Sequence, residues 1–150
     1  MKKFNFSLQK VLEIKEQLLE NLKIELSNLN TEYKNIELAI KKLQGKFYEV
    51  EKEYTEKTFK SISPGEISYY KLLMNSILKQ IEDNEEKRKI ILKKIAAKRQ
   101  EIINMNMEIS SLEKLREKEL EKYKKEYMKK EEIFIEEFVS NKNTARKYAI

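Results

Sequence analysis

The sequence predicts an all-α fold, a long antiparallel coiled-coil hairpin of two helices that forms a single domain. Three observations predict it. Apolar residues recur at alternating steps of three and four on both sides of one break near residue 63. The chain contains only two glycines and one proline, so it has few places to change direction. Charged residues make up 39% of it, which is typical of long helices and coiled coils.

The first predicted helix spans about residues 7–59. A heptad count from Leu8 to Tyr54 stays in phase, and Lys15 is the one polar core position in it. Gly45 weakens the helix chemically but leaves the phase intact. We call the predicted interface between the two helices the seam. The seam residues assigned to this helix are Leu12, Leu19, Leu22, Leu26, Leu29, Ile36, Ile40 and Leu43.

The break lies at about residues 60–65. Ser63 is a suitable N-cap, Pro64 suits the first helical position, and Glu66 follows three residues after the cap, as in a capping box. Ile62 and Ile67 occupy the two positions of a hydrophobic staple. These features predict a turn followed directly by a new helix.

The second predicted helix spans about residues 66–140, with a frayed tail over 141–150. Its seam has polar interruptions at Asn84, Arg88 and Lys98, and we expect Asn84 to fix the register of the helices rather than to do chemistry. After the last seam residue the apolar phase slips by about one residue. The seam residues assigned to this helix are Ile81, Ile91, Ile95, Ile102, Met105, Ile109 and Leu112.

The two predicted helices are unequal in length. Pairing Tyr54 with Tyr70 across the turn places Leu8 opposite about Arg116, so the second helix extends about two dozen residues beyond the first. We expect no helix of the same chain to cover the aromatic residues of this overhang, which implies a partner or self-association. These residues are Tyr123, Tyr127, Phe134 and Phe138.

Composition excludes several classes of function. The absence of cysteine and histidine removes disulfides, thiol nucleophiles, imidazole bases and the usual zinc ligands, and no cofactor or metal is expected. An enzyme is the least expected class, because two paired helices offer no concave site. No stretch approaches the length of a bilayer span, and the N-terminus lacks the apolar region of a signal peptide. We therefore expect a soluble cytoplasmic protein.

Two local features leave alternatives open. Seven basic residues and no acidic one lie between Lys87 and Arg99. This run suits nucleic acid or an anionic membrane, but it lacks interleaved aromatics, and we interpret it as a solvated or cross-helix-paired face. Near the turn, Tyr48 and Tyr69 lie one step off the seam, and both simple packing and a docking patch account for them.

Three stretches resemble one protein family. The chain opens with Phe4-x-Phe6-x-Leu8-x-x-Val11-Leu12, the break reads Ser-Pro-Gly-Glu with a following Tyr70, and the stretch 112–118 reads Leu-Glu-Lys-Leu-Arg-Glu-Lys with a following Tyr123. In placement, length and basic charge these features resemble the FliJ family, the soluble coiled-coil component of the flagellar type III export apparatus.

The resemblance implies a function. Members of the family are antiparallel coiled coils similar to the two terminal helices of the rotary ATPase γ subunit. The resemblance implies a non-enzymatic stalk in the centre of the hexameric export ATPase ring. Such a stalk also contacts the cytoplasmic part of the export gate, helps to couple ATP hydrolysis and proton motive force to secretion, and escorts export chaperones. It implies a role in flagellum biogenesis, motility and chemotaxis. The protein is then expected in the cytoplasm, associated with the membrane at the flagellar base only through its partners. Nucleic acid is not an expected partner.

The resemblance also implies contact residues. The end formed by the two termini faces the ATPase, and an apolar patch toward the turn contacts the gate. The gate candidates are Phe47, Val50, Tyr54, Tyr70, Leu73 and Ile77. The ATPase candidates are Phe4, Phe6, Leu8, Leu115, Arg116, Lys118, Lys122 and Tyr123.

Two other interpretations remain. The chain is a structural coiled coil whose overhang pairs with a second copy, which predicts a concentration-dependent dimer. Alternatively, it is a secretion chaperone that binds helices of export substrates through the exposed apolar strip, which predicts tight substrate binding without the ATPase.

Overall fold

A computed structural model describes residues 2–148, with side chains described for residues 2–146. It contains two α-helices, α1 (Gln9–Lys60) and α2 (Pro64–Tyr148), which pack against each other as a hairpin. The described part of the chain contains no strand. The predicted all-α fold class is therefore confirmed.

The helix boundaries differ from the expected ones mainly at the C-terminus. Helix α2 begins at Pro64 and continues through Tyr148, whereas the sequence led us to expect fraying from Asn141. The reason is that no glycine or proline follows Gly65, so the chain contains no residue that terminates a helix strongly. The last two positions of the expected frayed tail lie outside the described residues.

The start of α2 is capped as its sequence indicates. The backbone N–H of Glu66 donates to Ser63 Oγ at 3.2 Å, and the N–H of Ile67 donates to the Ser63 carbonyl at 3.1 Å. The Glu66 carboxylate lies 3.9 Å from Lys57 Nζ at the end of α1. The turn between the helices is therefore short. Ser63 caps α2, and Glu66, three residues later, contacts the end of α1.

The chain divides into two compact units. The hairpin unit contains Glu20–Ile103, and the terminal unit contains Met1–Leu19 together with Asn104–Ile150. Each unit includes a part of both helices. The assignment of the whole chain to a single domain stays a prediction.

One core cluster of the hairpin unit lies near the turn, and Ile40, Ile91 and Ile95 are buried further along the helices. Val50, Tyr70 and Ile77 are buried, and we call them, with the side chains packed against them, the tip cluster. The rings of Tyr54 and Tyr70 contact each other in a tilted arrangement with their centroids 5.6 Å apart, in agreement with the predicted pairing. The partly buried members of the cluster are Leu43, Phe47, Tyr54, Ile62, Leu73, Met74 and Ile81.

The helices of the hairpin unit keep one register along their length. Lys98 Nζ lies 2.6 Å from a Glu25 carboxylate oxygen, and Lys57 Nζ lies 3.9 Å from one of Glu66. Between these two pairs α1 advances as many residues as α2 retreats. Such constancy is expected of an uninterrupted heptad pattern on both helices.

The terminal unit has a smaller core. Phe6, Leu12 and Ile109 are buried. Lys15, the polar position in the seam of α1, lies with its Nζ 2.7 Å from Glu108 Oε2. A lysine stem packs along apolar surface while its charged end reaches a carboxylate, so this substitution in the heptads is accommodated.

The heptad positions are the covered ones throughout. All predicted seam positions from Leu8 to Tyr54 and from Ile67 to Leu112 are buried or half-buried, including the polar ones. The amide of Asn84 donates to the Gln80 carbonyl of its own helix at 2.9 Å. This contact is within one helix, so it gives no support to the expected role of Asn84 in fixing the register.

Candidate interaction surfaces

The predicted gate residues form the inside of the hairpin. Val50, Tyr70 and Ile77 are 8%, 4% and 2% exposed, and Phe47, Tyr54 and Leu73 are half-buried against them. They occupy the facing positions of the heptads or the positions next to them, so the opposite helix covers them. As a surface for a partner this set stays a prediction: the opposite helix covers Val50, Tyr70 and Ile77, and the half-buried members keep part of their surface accessible.

Another set of side chains is exposed near the turn. Tyr69 and Leu72 lie three residues apart on one face of α2 and are 61% and 71% exposed. Tyr48 and Phe59 on α1 are also exposed. We call these four residues the outer tip patch. The sequence signal for such residues is a heptad position off the seam, and Tyr48 and Tyr69 were recognised by it.

Polar contacts cross between the helices at the tip. The Tyr70 hydroxyl donates to Glu53 Oε1 at 3.1 Å, and Lys57 Nζ lies 5.5 Å from the centre of the Tyr70 ring. The side-chain hydrogen bond with Tyr70 raises the pKa of Lys57, and Glu66 adds to the effect. One buried aromatic ring therefore joins an acidic and a basic group of α1.

The segment before α1 packs on α2 in the terminal unit. The rings of Phe4 and Tyr123 lie 5.6 Å apart, the Tyr123 hydroxyl donates to the Lys2 carbonyl, and the Arg116 guanidinium lies 5.8 Å from the centre of the Phe4 ring. Phe6 is only 4% exposed. No helix was expected to cover Tyr123, and the residues that cover it belong to the non-helical segment before α1.

These contacts divide the predicted ATPase residues. Phe6 is buried and Leu8 is half-buried, so both contribute to the core of the unit. Phe4 and Tyr123 cover each other and remain half-buried. The exposed members of the set are Leu115, Arg116, Lys118 and Lys122.

The rest of α2 exposes an apolar strip. Every residue from 124 to 146 is exposed. Tyr127 and Phe138 lie eleven residues apart, as do Tyr123 and Phe134, and this spacing keeps residues on one face of a nearly straight helix. We define the C-terminal strip as the exposed apolar residues on this face and its margin, namely Tyr127, Met128, Phe134, Ile135, Phe138 and Val139.

One titratable group of the strip is perturbed. The negative charge of Glu131, four residues further along the same helix, raises the pKa of Tyr127, and a hydrogen bond with Glu131 adds to this. A shallow depression lies beside Tyr127, between the N-terminal segment and α2. It is lined by Lys2, Tyr123, Glu126, Tyr127 and Lys130.

The basic run over residues 87–99 contributes to the pairing of the helices. Lys98 lies 2.6 Å from Glu25 on α1 and 3.2 Å from Glu101 on its own helix. Hydrogen bonds with these two carboxylates, the one with Glu25 being the stronger influence, raise the pKa of Lys98. For Lys98 the interpretation as a cross-helix-paired face is confirmed.

The described residues contain neither a membrane-spanning stretch nor a cluster of metal ligands. Within residues 2–148, neither helix has a stretch long and apolar enough to cross a membrane. The same residues contain no group of three acidic side chains placed to hold a metal ion.

Comparison with known proteins gives one match. The family model described as FliJ, the flagellar FliJ protein, matches residues 4–146. No curated protein matches the chain, and no solved structure does.

Proposed function

The chain belongs to the FliJ family and is thus a protein of flagellar export, and we propose that it acts there as a coiled-coil stalk that binds the hexameric export ATPase and the export gate. The family match over residues 4–146 carries the proposal, because it includes both helices and the turn. As a stalk the protein has no catalytic role of its own. It works in the cytoplasm and meets the membrane only through the gate.

The ATPase-binding part of the proposal concerns the terminal unit. Leu115, Arg116, Lys118 and Lys122 are exposed on α2, and the Arg116 guanidinium lies beside the N-terminal segment, over the Phe4 ring. Basic side chains on a helix suit a ring pore lined by acidic loops, since opposite charges speed and orient the encounter. The packing of Phe4 on Tyr123, with Arg116 over Phe4, holds this surface in one arrangement.

The gate-binding part concerns the outer tip patch. Interface centres are enriched in exposed aromatic and large apolar side chains. Tyr69 and Leu72 on α2 meet this description, whereas the buried tip cluster does not. We therefore assign gate binding to the outer tip patch and assign the six residues first expected there to the stability of the hairpin.

An ATPase assay tests the first part. We expect the purified chain to bind the hexameric export ATPase and to increase its rate of ATP hydrolysis. Arg116→Glu/Lys118→Glu/Lys122→Glu should weaken binding by roughly tenfold or more, since each reversal replaces an attraction by a repulsion. Lys89→Glu/Lys93→Glu/Lys94→Glu, an equal change of charge in the hairpin unit, is the control and should bind normally.

The proposal fails if the unmodified chain neither binds the ATPase nor changes its rate. Equal loss of binding in both triple variants would remove the assignment to the terminal unit, since it would show that only net charge matters. Circular dichroism must first show that both variants remain helical.

Binding to the cytoplasmic part of the gate tests the second part. Tyr69→Ser/Leu72→Ser should abolish it, with the ATPase interaction intact. Ile24→Ser/Leu38→Ser removes two equally exposed apolar side chains of α1 further from the turn and should leave gate binding unchanged. If the two double variants bind the gate equally well, the outer tip patch is not the contact.

A further inference from the structure

The positive charge of the chain is concentrated at one level of the hairpin unit. Residues 87–99 of α2, which we call the basic band, contain seven basic residues and no acidic one. In the register set by the contact of Lys98 with Glu25, residues 24–36 of α1 lie at the same level, and they contain two glutamates and one lysine. Eight basic residues against two acidic ones leave six positive charges, which equals the net charge of the whole chain.

Most of the basic band is not paired with carboxylates in the described part of the chain. Lys98 contacts Glu25 and Glu101. Among the described residues, no other basic side chain of the band forms an ion pair. Glu32 lines the same depression as Lys94 without pairing with it. Most of the positive charge therefore faces water and is open to an anionic partner.

An exposed isoleucine lies among the unpaired lysines of the band. Ile90 is 49% exposed. The exposed side chains of Lys87, three residues before it, and of Lys93 and Lys94, three and four residues after it, border it on the helix surface. The fourth neighbour, Glu86, belongs to an acidic stretch that precedes the band. An apolar side chain bordered by three cations suits a partner in which carboxylates border an apolar side chain.

Acidic residues limit the basic band at both ends. Residues 82–86 contain four acidic residues and no basic one, and Glu101 follows the band. The band itself is about 20 Å long at 1.5 Å per residue. A membrane surface or a long nucleic acid would extend over the acidic ends as well and would be repelled there. Residues 87–99 also contain no aromatic side chain on which a base could stack. A short acidic segment of a protein fits within the band.

We propose that this surface binds a short acidic segment of a partner protein, with carboxylates on Lys87, Lys93 and Lys94 and an apolar side chain on Ile90. These four residues are the Ile90 patch. The patch is separate from both surfaces of the proposed function. Ile90 lies about 27 Å along α2 from Leu72 of the outer tip patch, and the ATPase surface belongs to the terminal unit. The proposal is therefore tested without the ATPase and without the gate.

Fluorescence anisotropy with the full chain tests the proposal. The probe is a labelled peptide of repeated Glu-Leu-Glu, about 12 residues long, which as a helix matches the length of the band. We expect a dissociation constant on the order of 10 μM at low salt. Lys87→Gln/Lys93→Gln/Lys94→Gln should weaken binding by roughly tenfold or more, since each change removes one attraction. Ile90→Ser should weaken it by roughly threefold or more with no change of charge.

A matched control uses three exposed lysines of α1 in the same unit, namely Lys42, Lys46 and Lys52. Lys42→Gln/Lys46→Gln/Lys52→Gln makes the same change in net charge and should alter binding by less than about twofold. An equal loss in both triple variants would overturn the proposal, since only net charge would then matter. Circular dichroism must first show that the variants remain helical, as expected because lysine and glutamine are similar helix formers.

Other anionic partners are expected to behave differently. Phosphatidylglycerol vesicles and a DNA duplex of about 20 base pairs should bind the full chain less tightly than the peptide does at the same salt, and Ile90→Ser should not change their binding. Tighter binding of either one, lost in Lys87→Gln/Lys93→Gln/Lys94→Gln, would assign the patch to a membrane or a nucleic acid and overturn the proposal. A peptide that does not bind at about millimolar concentration would overturn it as well.

Discussion

The tip cluster and the C-terminal strip are alike in composition but differ in burial. Each contains two or more aromatic side chains carried by long charged helices, the tip cluster on both helices and the C-terminal strip on α2 alone. Tyr70 is 4% exposed because α1 covers it, whereas Phe134 is 69% exposed in a stretch where every residue is exposed. The comparison shows that an aromatic face on such a helix is core or interface according to whether the chain supplies an opposite helix at that level.

The comparison also separates what each region contributes. In the hairpin unit the apolar face stabilises the fold, and its aromatic residues are already used. In the terminal unit the N-terminal segment covers α2 as far as Tyr123, and the strip begins just beyond. The apolar surface of the C-terminal strip is therefore still exposed, and a partner that covers it would gain the free energy of its burial.

The largest expected effect contrasts one core residue with one strip residue. Ile77→Ala should lower the free energy of unfolding by about 2–4 kcal/mol, because Ile77 is 2% exposed within the tip cluster. Phe134→Ala should change it by less than about 0.5 kcal/mol at concentrations that keep the chain monomeric. Urea unfolding followed by circular dichroism measures both. A loss at Phe134 as large as that at Ile77 would mean that the strip is covered within one chain.

The contrast at these two positions was only half accessible from the sequence. The heptads of Ile40, Tyr70 and Ile91 predicted the two-helix fold and its covered face, because a face that is buried along a helix requires apolar residues at regular intervals in the sequence. The same count predicted that an overhang would exist, since the helices on the two sides of the turn are unequal. It also placed most of the gate residues on the seam, where the opposite helix covers Val50, Tyr70 and Ile77.

The packing of the N-terminal segment could not be predicted in the same way. Phe4 and Phe6 lie in an irregular segment, and an irregular segment has no period from which its covered side can be deduced. The sequence assigned both phenylalanines to a partner, whereas in the structure Phe6 is buried and Phe4 lies on Tyr123. The continuation of α2 through Tyr148 was missed for a related reason, because the mostly polar stretch after Val139 has no regularly spaced apolar residues that would indicate a helix.

Glycine provides the next contrast. Gly45 lies in α1 of the hairpin unit, and a methyl group added there meets no atom within 4 Å. Gly45→Ala should raise the free energy of unfolding by about 1 kcal/mol, because alanine is the better helix former. Glu136→Gly, in the C-terminal strip's segment, should instead leave global unfolding unchanged in the monomer and speed local amide hydrogen exchange. A global loss for Glu136→Gly would show that the segment unfolds together with the hairpin unit.

Two tyrosine hydroxyls sharpen the comparison further. Tyr70→Phe should lower the free energy of unfolding by about 0.5–1.5 kcal/mol, since it removes the hydrogen bond to Glu53 across the helices. Tyr127→Phe should have almost no effect on the monomer, because the influences on its hydroxyl come from Glu131 on the same exposed helix. Thermal unfolding at low concentration compares the two variants. Equal losses would contradict the view that only the first hydroxyl joins two helices.

The smallest effect is one of pH, and it follows from pairing across the helices at Lys98. The pKa of Lys98 is raised, chiefly by its hydrogen bond with Glu25 on α1 and then by the one with Glu101. A raised pKa means that folding favours the charged lysine, so the pair's contribution to stability is present below the ordinary lysine pKa and is lost as the pH rises through the folded value. Glu25→Gln should therefore lower the pKa of Lys98, followed by NMR of its side-chain carbons, more than Glu101→Gln does. The stability difference between Glu25→Gln and the unmodified chain should also disappear in strongly alkaline solution. A larger effect of Glu101→Gln would show that Lys98 depends mainly on its own helix, as Tyr127 does. The pairing of α1 with α2 at Lys98 would then be weaker than the 2.6 Å contact with Glu25 indicates.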